Sequence, residues 1–177
     1  MEKQFQLVPA QSSIEWVGRK VTGAHNGTIA LKQGTVTLRN EQLTGGRFVI
    51  DTTAITITDV TDPATNAQFA GHLASDDFFN AAMYPEAVLN ITHAEPRGNG
   101  SYHVIADLTI KGITHPVGFD ATVTGEDGHL TAQAKITIDR TAYDMKFRSG
   151  NFFTNLGDTL IYNHFDLNVH ITARANA

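Results

Sequence analysis

Tyr102, Val104, Ala106, Leu108 and Ile110 alternate with His103, Asp107, Thr109 and Lys111. A run of period two constrains the fold more than any other feature of this chain. Successive strand side chains point to opposite faces, so the apolar set shares one face and the polar set the other. The pattern recurs. Val117, Phe119, Ala121 and Val123 repeat it, as do Leu130, Ala132, Ala134, Ile136 and Ile138, and then Phe165, Leu167, Val169, Ile171 and Ala173, with Asp166, Asn168, His170 and Thr172 outside. Turn residues separate these runs: Arg97-Gly98-Asn99-Gly100, Gly112 to Pro116, and Glu126-Asp127-Gly128. Strands joined this way form an antiparallel meander with one apolar face.

The N-terminal half reads similarly. Phe5 to Val8, closed by Pro9, is expected as a first edge strand. Ile14, Trp16 and Gly18 face one way, and Glu15, Val17 and Arg19 the other. Asn26-Gly27 predicts a hairpin between 14–22 and 28–32. Val36 and Leu38 alternate, Gly45-Gly46 marks a bulge or bend, and Phe48, Ile50 and Thr52 share a face. An antiparallel sandwich or an up-and-down barrel fits these strands. Their length and the small inward residues Gly18, Ala106, Ala121, Ala132 and Ala134 favour a barrel of about eight strands with interior space. Interdigitation of those alanines with Phe and Trp in a filled core is the alternative.

One segment breaks the period. Asp62-Pro63 is a helix N-cap and first-turn pair, and a mostly helical insertion is expected near residues 63–83. Within it Ser75 reads as a second N-cap, with Asp76 and Asp77 at the positive end of a helix dipole. Phe78, Phe79 and Met83 follow, and Pro85 ends the segment. So much apolar surface on a short helix needs a partner, in a chain of strands a sheet or the mouth of a barrel.

Composition narrows the function. With 41% hydrophobic and 18% charged residues in 177, the chain reads as one globular domain, residues 1–177. A net charge of -5 and the lack of a basic run argue against nucleic acid. Apolar runs are too short for a spanning helix. With no cysteine, thiolate chemistry and disulfides are excluded. The eight histidines show no metal-ligand spacing, and no Gly-x-Ser-x-Gly elbow is present. Neither a catalytic nor a metal site is expected. Residues 1–15 carry no secretory signal pattern: Met1 as the native start implies the cytoplasm, and a processed form implies export.

The segment His72-Leu73 with 77–87, Asp-Phe-Phe-Asn-Ala-Ala-Met-Tyr-Pro-Glu-Ala, resembles the signature of the YceI-like family of lipocalin-like, polyisoprenoid-binding proteins. The resemblance extends through Ile14-Glu15-Trp16, His25-Asn26-Gly27, the stretch Gly45 to Asp51, the stretch Leu108 to Val117, and Asp139 to Tyr143. It covers nearly the whole chain. It implies an all-β fold: an antiparallel lipocalin-like barrel with the helical segment at one end. It implies an amphiphilic lipid ligand, such as an isoprenoid, a quinone or a fatty-acid-like lipid, in an apolar tunnel. It also implies a periplasmic setting and, in some members, a homodimer. The segment Lys146 to Ile161 departs from the family pattern in being longer and more aromatic.

Burial of apolar area drives such binding and needs no catalytic group. The candidate lining is Trp16, Phe48, Leu73, Phe78, Phe79, Met83, Leu108, Ile110, Phe119, Met145, Phe147 and Phe153. Arg140 is a further candidate, expected to pair with Asp51, Asp77 or Asp139, or to face a phosphate or quinone head. Non-catalytic lipid transport is the leading reading. A small-molecule-modifying enzyme on the same barrel would need polar groups converging in the lumen. A ligand-free interaction or stress-response protein would have no cavity.

Overall fold

The structure, a computed structural model, describes residues 2–20, 23–146 and 161–175. Its strands are β1 (Glu2–Leu7), β2 (Ser13–Lys20), β3 (Gly23–Arg39), β4 (Gln42–Ile57), β5 (Glu86–Gly98), β6 (Ser101–Ile110), β7 (Ile113–Glu126), β8 (His129–Asp139) and β9 (Ile161–Ala175). Helix α1 (Pro63–Ala74) separates β4 from β5. Every neighbouring pair of strands is antiparallel, in the order β2-β9-β8-β7-β6-β5-β4-β3. β3 returns to β2, so the sheet closes into an eight-strand barrel.

β1 is not an edge strand. It lies between β3 and β9, as β2 does, so the two are halves of one barrel position. A 3-10 turn at Pro9–Gln11 interrupts them. Ser12 stitches the break: its Oγ donates to Val8 O at 2.9 Å and accepts from Thr172 N at 3.0 Å.

Local chemistry explains the hairpins. Asn40-Glu41, Asn99-Gly100, Lys111-Gly112 and Asp127-Gly128 all have positive φ at both positions, the backbone that matches the twist of paired strands. The expected turn over Gly112 to Pro116 is therefore shorter. Pro116 lies within β7, on a stretch paired only with β6, where its missing N–H costs no ladder bond.

Asn26-Gly27 is not a hairpin. Pairing of β2 with β3 begins at Lys20–Gly23, and Asn26 and Gly27 sit inside β3. A side chain at Gly27 would collide with the carbonyl of Thr56 on β4. The glycine answers a close backbone approach there, not a turn. Gly34 likewise leaves room for the Phe48 ring, which a Cβ would meet at 2.6 Å. The bulge expected at Gly45-Gly46 is present: the register slips between Thr37 and Leu38 opposite Gly45 and Leu43.

The insertion is helical only over its first part. Asp62 caps α1 by accepting from Thr65 N at 2.9 Å, with Pro63 following. Ser75 is the C-cap, not a second N-cap: its N–H and Oγ both donate to His72 O, at 3.0 and 2.6 Å. Asp76 and Asp77 thus follow the negative end of a helix, an unfavourable place for acids. Cations offset it. His72 Nε2 lies 2.9 Å from Asp77 Oδ2, and Lys111 Nζ lies 3.6 Å from Asp76 Oδ1. Turns carry the chain on to Met83.

The buried core follows the inward alternation, from Phe5 and Leu7 at one end to Ile110, Ile138 and Met145 at the other. Two outward polar residues among those described defy the alternation. Asp166 is buried, held by Thr137 Oγ1 and Arg19 Nη1, each at 2.8 Å. Lys111 is buried because its ammonium donates to the carbonyls of Asp76 (2.6 Å) and Asp144 (3.0 Å).

Candidate functional site

Among the described residues, two cavities lie end to end in the barrel interior. A narrow one of ≈ 80 Å³ runs between β3–β9 side chains such as Val36, Phe48, Val104 and Phe119. A wide chamber of ≈ 490 Å³ occupies the end covered by α1. Ile14, Ile50, Leu108, Ile138 and Leu167 line both and form the waist between them.

Helix α1 roofs the wide chamber. Thr65, Phe69, His72 and Leu73 line it, and these positions share one helical face. Phe69 stacks edge-on against His25 at 4.9 Å and tilts towards Trp16 at 6.2 Å. Trp16 fixes its own indole by donating Nε1–H to Thr56 O at 3.1 Å. The roof is lightly held. None of its residues is buried, and Asn66 is its main tie, donating to Ile57 O (2.9 Å) and Val60 O (3.0 Å). Histidine–carboxylate contacts flank it on both sides: His25 with Asp59 at 2.8 Å, and His72 with Asp77. Burial works against ionisation of Asp59, but hydrogen bonds from His25 and the Asn26 amide hold its carboxyl below the usual range.

Arg140 closes the opposite wall. The β7–β8 ladder stops at Ala121–Ala134, and a 3-10 turn over Arg140–Tyr143 follows β8. His115 Nε2 approaches Ala142 O at 3.0 Å across this gap. The Arg140 side chain does not meet Asp51, Asp77 or Asp139. Its Nε donates to Tyr162 O (3.0 Å), Nη1 to Met145 O (2.6 Å) and Nη2 to Ile161 O (3.0 Å). Carbonyl partners win because the fork geometry reaches three of them at once, whereas Asp139 is occupied in capping Thr141. The Phe78 ring lies 5.9 Å from the guanidinium. Burial pulls the Arg140 pKa down to about 10, with Asp139 opposing, so the group is cationic at neutral pH. Nearby Tyr143 is pushed up to about 12, by burial and then by the charge of Asp107.

Of the expected lining residues, Trp16, Leu73, Phe78, Phe79, Ile110, Arg140 and Met145 border the wide chamber. Phe48 and Phe119 border the narrow one, and Leu108 borders both. Met83 borders neither and is 68% exposed. Asn80, at φ 47, turns the chain and accepts from the amides of Met83 and Tyr84, which swings Met83 outward and buries Ala81 instead. Phe147 and Phe153 lie outside the described residues. Phe69 and Lys20 were missed as lining. The i, i+4, i+7, i+8 spacing of Thr65, Phe69, His72 and Leu73 marks the first, and the parity of Lys20 with Ile14, Trp16 and Gly18 marks the second.

Among the described residues no group of three His, Asp or Glu could hold a metal ion. No described helix is long and apolar enough to cross a membrane.

These elements make a closed antiparallel barrel with a mostly apolar chamber under a helical roof. Residues 5–173 match the model of the YceI-like domain, and the chain belongs to the YceI-like family. A UPF0312 protein of Vibrio campbellii is 35% identical over 77 residues, which are 44% of this chain and 37% of that relative. The chain thus aligns with less than half the length of this curated relative. Among solved structures, BcnA of Burkholderia cenocepacia superposes with a TM-score of 0.74 at 20% identity, covering 94% of this chain and 98% of that one. A polyisoprenoid binding domain from Saccharophagus degradans, implicated in plant cell wall breakdown, gives 0.72 at 14% identity over 97% and 98%. These share the fold.

Proposed function

We propose that the protein binds and carries a long-chain amphiphile, an isoprenoid, isoprenoid quinone or fatty-acid-like lipid, and performs no chemistry on it. The wide chamber of ≈ 490 Å³ carries this reading. Its size falls in the range of small-molecule sites, about 300–1,000 Å³. Its walls are mostly apolar, and the waist offers a path for the chain towards the narrow cavity. Each 100 Å² of buried chain contributes about 2.5 kcal/mol before ordering costs. The likeness to a polyisoprenoid binding domain supports the same ligand class. Polar side chains at the rim are engaged with one another: Arg19 with Asp166, His25 with Asp59, His72 with Asp77, and Thr65 with Asp62. That pairing favours a wall over a catalytic constellation.

Leu108→Asp tests the reading. It places a carboxylate in the waist, where burial penalises charge by several kcal/mol. Uptake of an isoprenoid quinone, followed by quenching of Trp16, should be lost, while Met83→Asp on the outer surface should bind as the parent does. Equal uptake by a folded Leu108→Asp protein would place the ligand elsewhere. Native mass spectrometry of the protein from its own host should show a bound lipid.

A further inference from the structure

We propose that helix α1 is the gate through which the ligand enters and leaves, and that Phe69 is its latch. This rests on the carrier reading above and assigns the route into that chamber.

Backbone ladders wall most of the lumen. Two places are closed by other means: the gap beyond Ala121–Ala134, where β7 and β8 part, and the mouth under α1. The gap is sealed firmly. Tyr143 and Met145 are buried beside it, and Arg140 ties three carbonyls there through a charged donor, the stronger kind of hydrogen bond.

The mouth is closed by less. No residue of α1 is buried, and the helix carries no Lys, Arg, Asp or Glu. Its His72 meets Asp77, which belongs to the same insertion and anchors nothing to the barrel wall. Asn66 ties the N-terminal half of α1 to the end of β4, through Ile57 O. Further along, the ring of Phe69 reaches across to His25 of β3 and Trp16 of β2. A segment tied near one end, with few buried apolar contacts, opens at low cost. The stretch after α1 is held more firmly: Thr52 Oγ1 donates to Tyr84 O at 2.7 Å, and Lys111 Nζ to Asp76 O at 2.6 Å. Motion is therefore confined to α1, between Val60 and Ser75. Swinging its C-terminal half outward lifts Phe69 off Trp16 and His25 and uncovers the chamber that all three line. The same opening at the β7–β8 gap would break all three Arg140 bonds.

The competing account makes Phe69 only a piece of wall. A wall residue sets how tightly the ligand is held, so its loss shows in the dissociation rate alone. A latch limits passage in both directions, so its loss speeds association as well.

An isoprenoid quinone is mixed with the full chain by stopped flow and followed by quenching of Trp16. Phe69→Ala should raise the association rate about tenfold, which is about 1.4 kcal/mol off the opening step, and the dissociation rate at least as much. Phe79→Ala, on the firmly held side of the chamber, should raise the dissociation rate alone. The chain has no cysteine, so the double variant His25→Cys/Phe69→Cys carries only two thiols. Joining them across the mouth with a cleavable bis-maleimide after loading should slow release about tenfold or more, and cleavage should restore it. Without ligand, amide hydrogen exchange should be faster in α1 than around Arg140–Met145, and faster still in Phe69→Ala. A Phe69→Ala protein that changes in dissociation rate alone, or a cross-linked protein that releases as fast as the open one, would overturn the gate and place the entry elsewhere. If the quinone quenches Trp16 in no variant, the carrier reading itself fails and the gate falls with it.

Discussion

Arg140→Met is the substitution whose cost the structure sets most directly. Arg140 is 3% exposed and donates to the carbonyls of Met145, Ile161 and Tyr162. Met145 and Ile161 stand on either side of 147–160, so one guanidinium ties together the chain entering and leaving that stretch. Hydrogen bonds from a charged donor contribute about 1.5–3 kcal/mol each. Burial of the cation offsets part of this by several kcal/mol. Methionine restores the apolar volume but leaves three carbonyls without their donor, each costing about 1–3 kcal/mol if buried. The expected net loss is about 3–5 kcal/mol, a large share of a typical domain stability of about 5–15 kcal/mol. Arg140→Lys should recover only part, because one ammonium cannot span three carbonyls in the geometry of the fork. Urea unfolding followed by the single tryptophan, Trp16, and by circular dichroism measures it. Hydrogen exchange should rise first at the start of β9 and around Met145. A loss below about 1 kcal/mol for Arg140→Met, with an unchanged denaturant slope, would refute the clamp.

Two glycines should respond in opposite senses. Gly27→Ala drives a methyl group into the Thr56 carbonyl and should cost about 1–3 kcal/mol, with weakened β3–β4 pairing near the mouth. Gly71→Ala, in α1 with nothing within 4 Å of a new Cβ, should stabilise by about 0.5–1 kcal/mol. Thermal unfolding of both variants checks this. Asp166 supplies a pH dependence. Burial opposes its charge, but hydrogen bonds from Thr137 and Arg19 and the nearby cations Arg19 and Lys135 outweigh it and lower its pKa. A carboxylate lowered in the folded state contributes stability that is complete above its unfolded value, about 3.9, and is lost as pH falls through the folded value. Asp166→Asn should therefore lose stability at pH 7 and show a flatter acid dependence below about pH 4, read from urea midpoints against pH.

Alternation is a strong signal because one buried face forces it, and β6 through β9 carry it almost without interruption. Turn chemistry and the Asp62-Pro63 cap are equally local, so they were readable as well. The errors arose where a residue answers to a distant partner. Asn26-Gly27 resembles a hairpin turn, yet its glycine is required by Thr56. Ser75 and the two aspartates resemble a helix start, yet the carbonyl of His72 makes Ser75 an end. Lys111 sits at a polar position of the alternation, but its ammonium serves two carbonyls, one of them from a segment 33 residues on. Arg140 stands out in the sequence, but three backbone oxygens as its partners leave no trace in residue types.

The question of whether small inward residues leave space or interdigitate resolves differently at the two ends of the barrel. Ala121, Ala132 and Ala134 line the same narrow cavity as Phe48 and Phe119, and only ≈ 80 Å³ remains there. There the alanines make room for aromatic side chains, as Gly34 does for Phe48. At the other end Gly18 has only the Trp16 ring near it, 3.8 Å from where a Cβ would sit, and Trp16 and Phe69 stand at the rim under α1. That difference leaves ≈ 490 Å³ open on the side where the roof is lightly held. The waist of Ile14, Ile50, Leu108, Ile138 and Leu167 then limits how far a bound chain descends. Enlarging it with Leu108→Ala should let longer chains bind, at a stability cost of about 2–5 kcal/mol. Chain-length profiles of bound alcohols would measure the change, and an unaltered profile would show that the ligand stops above the waist.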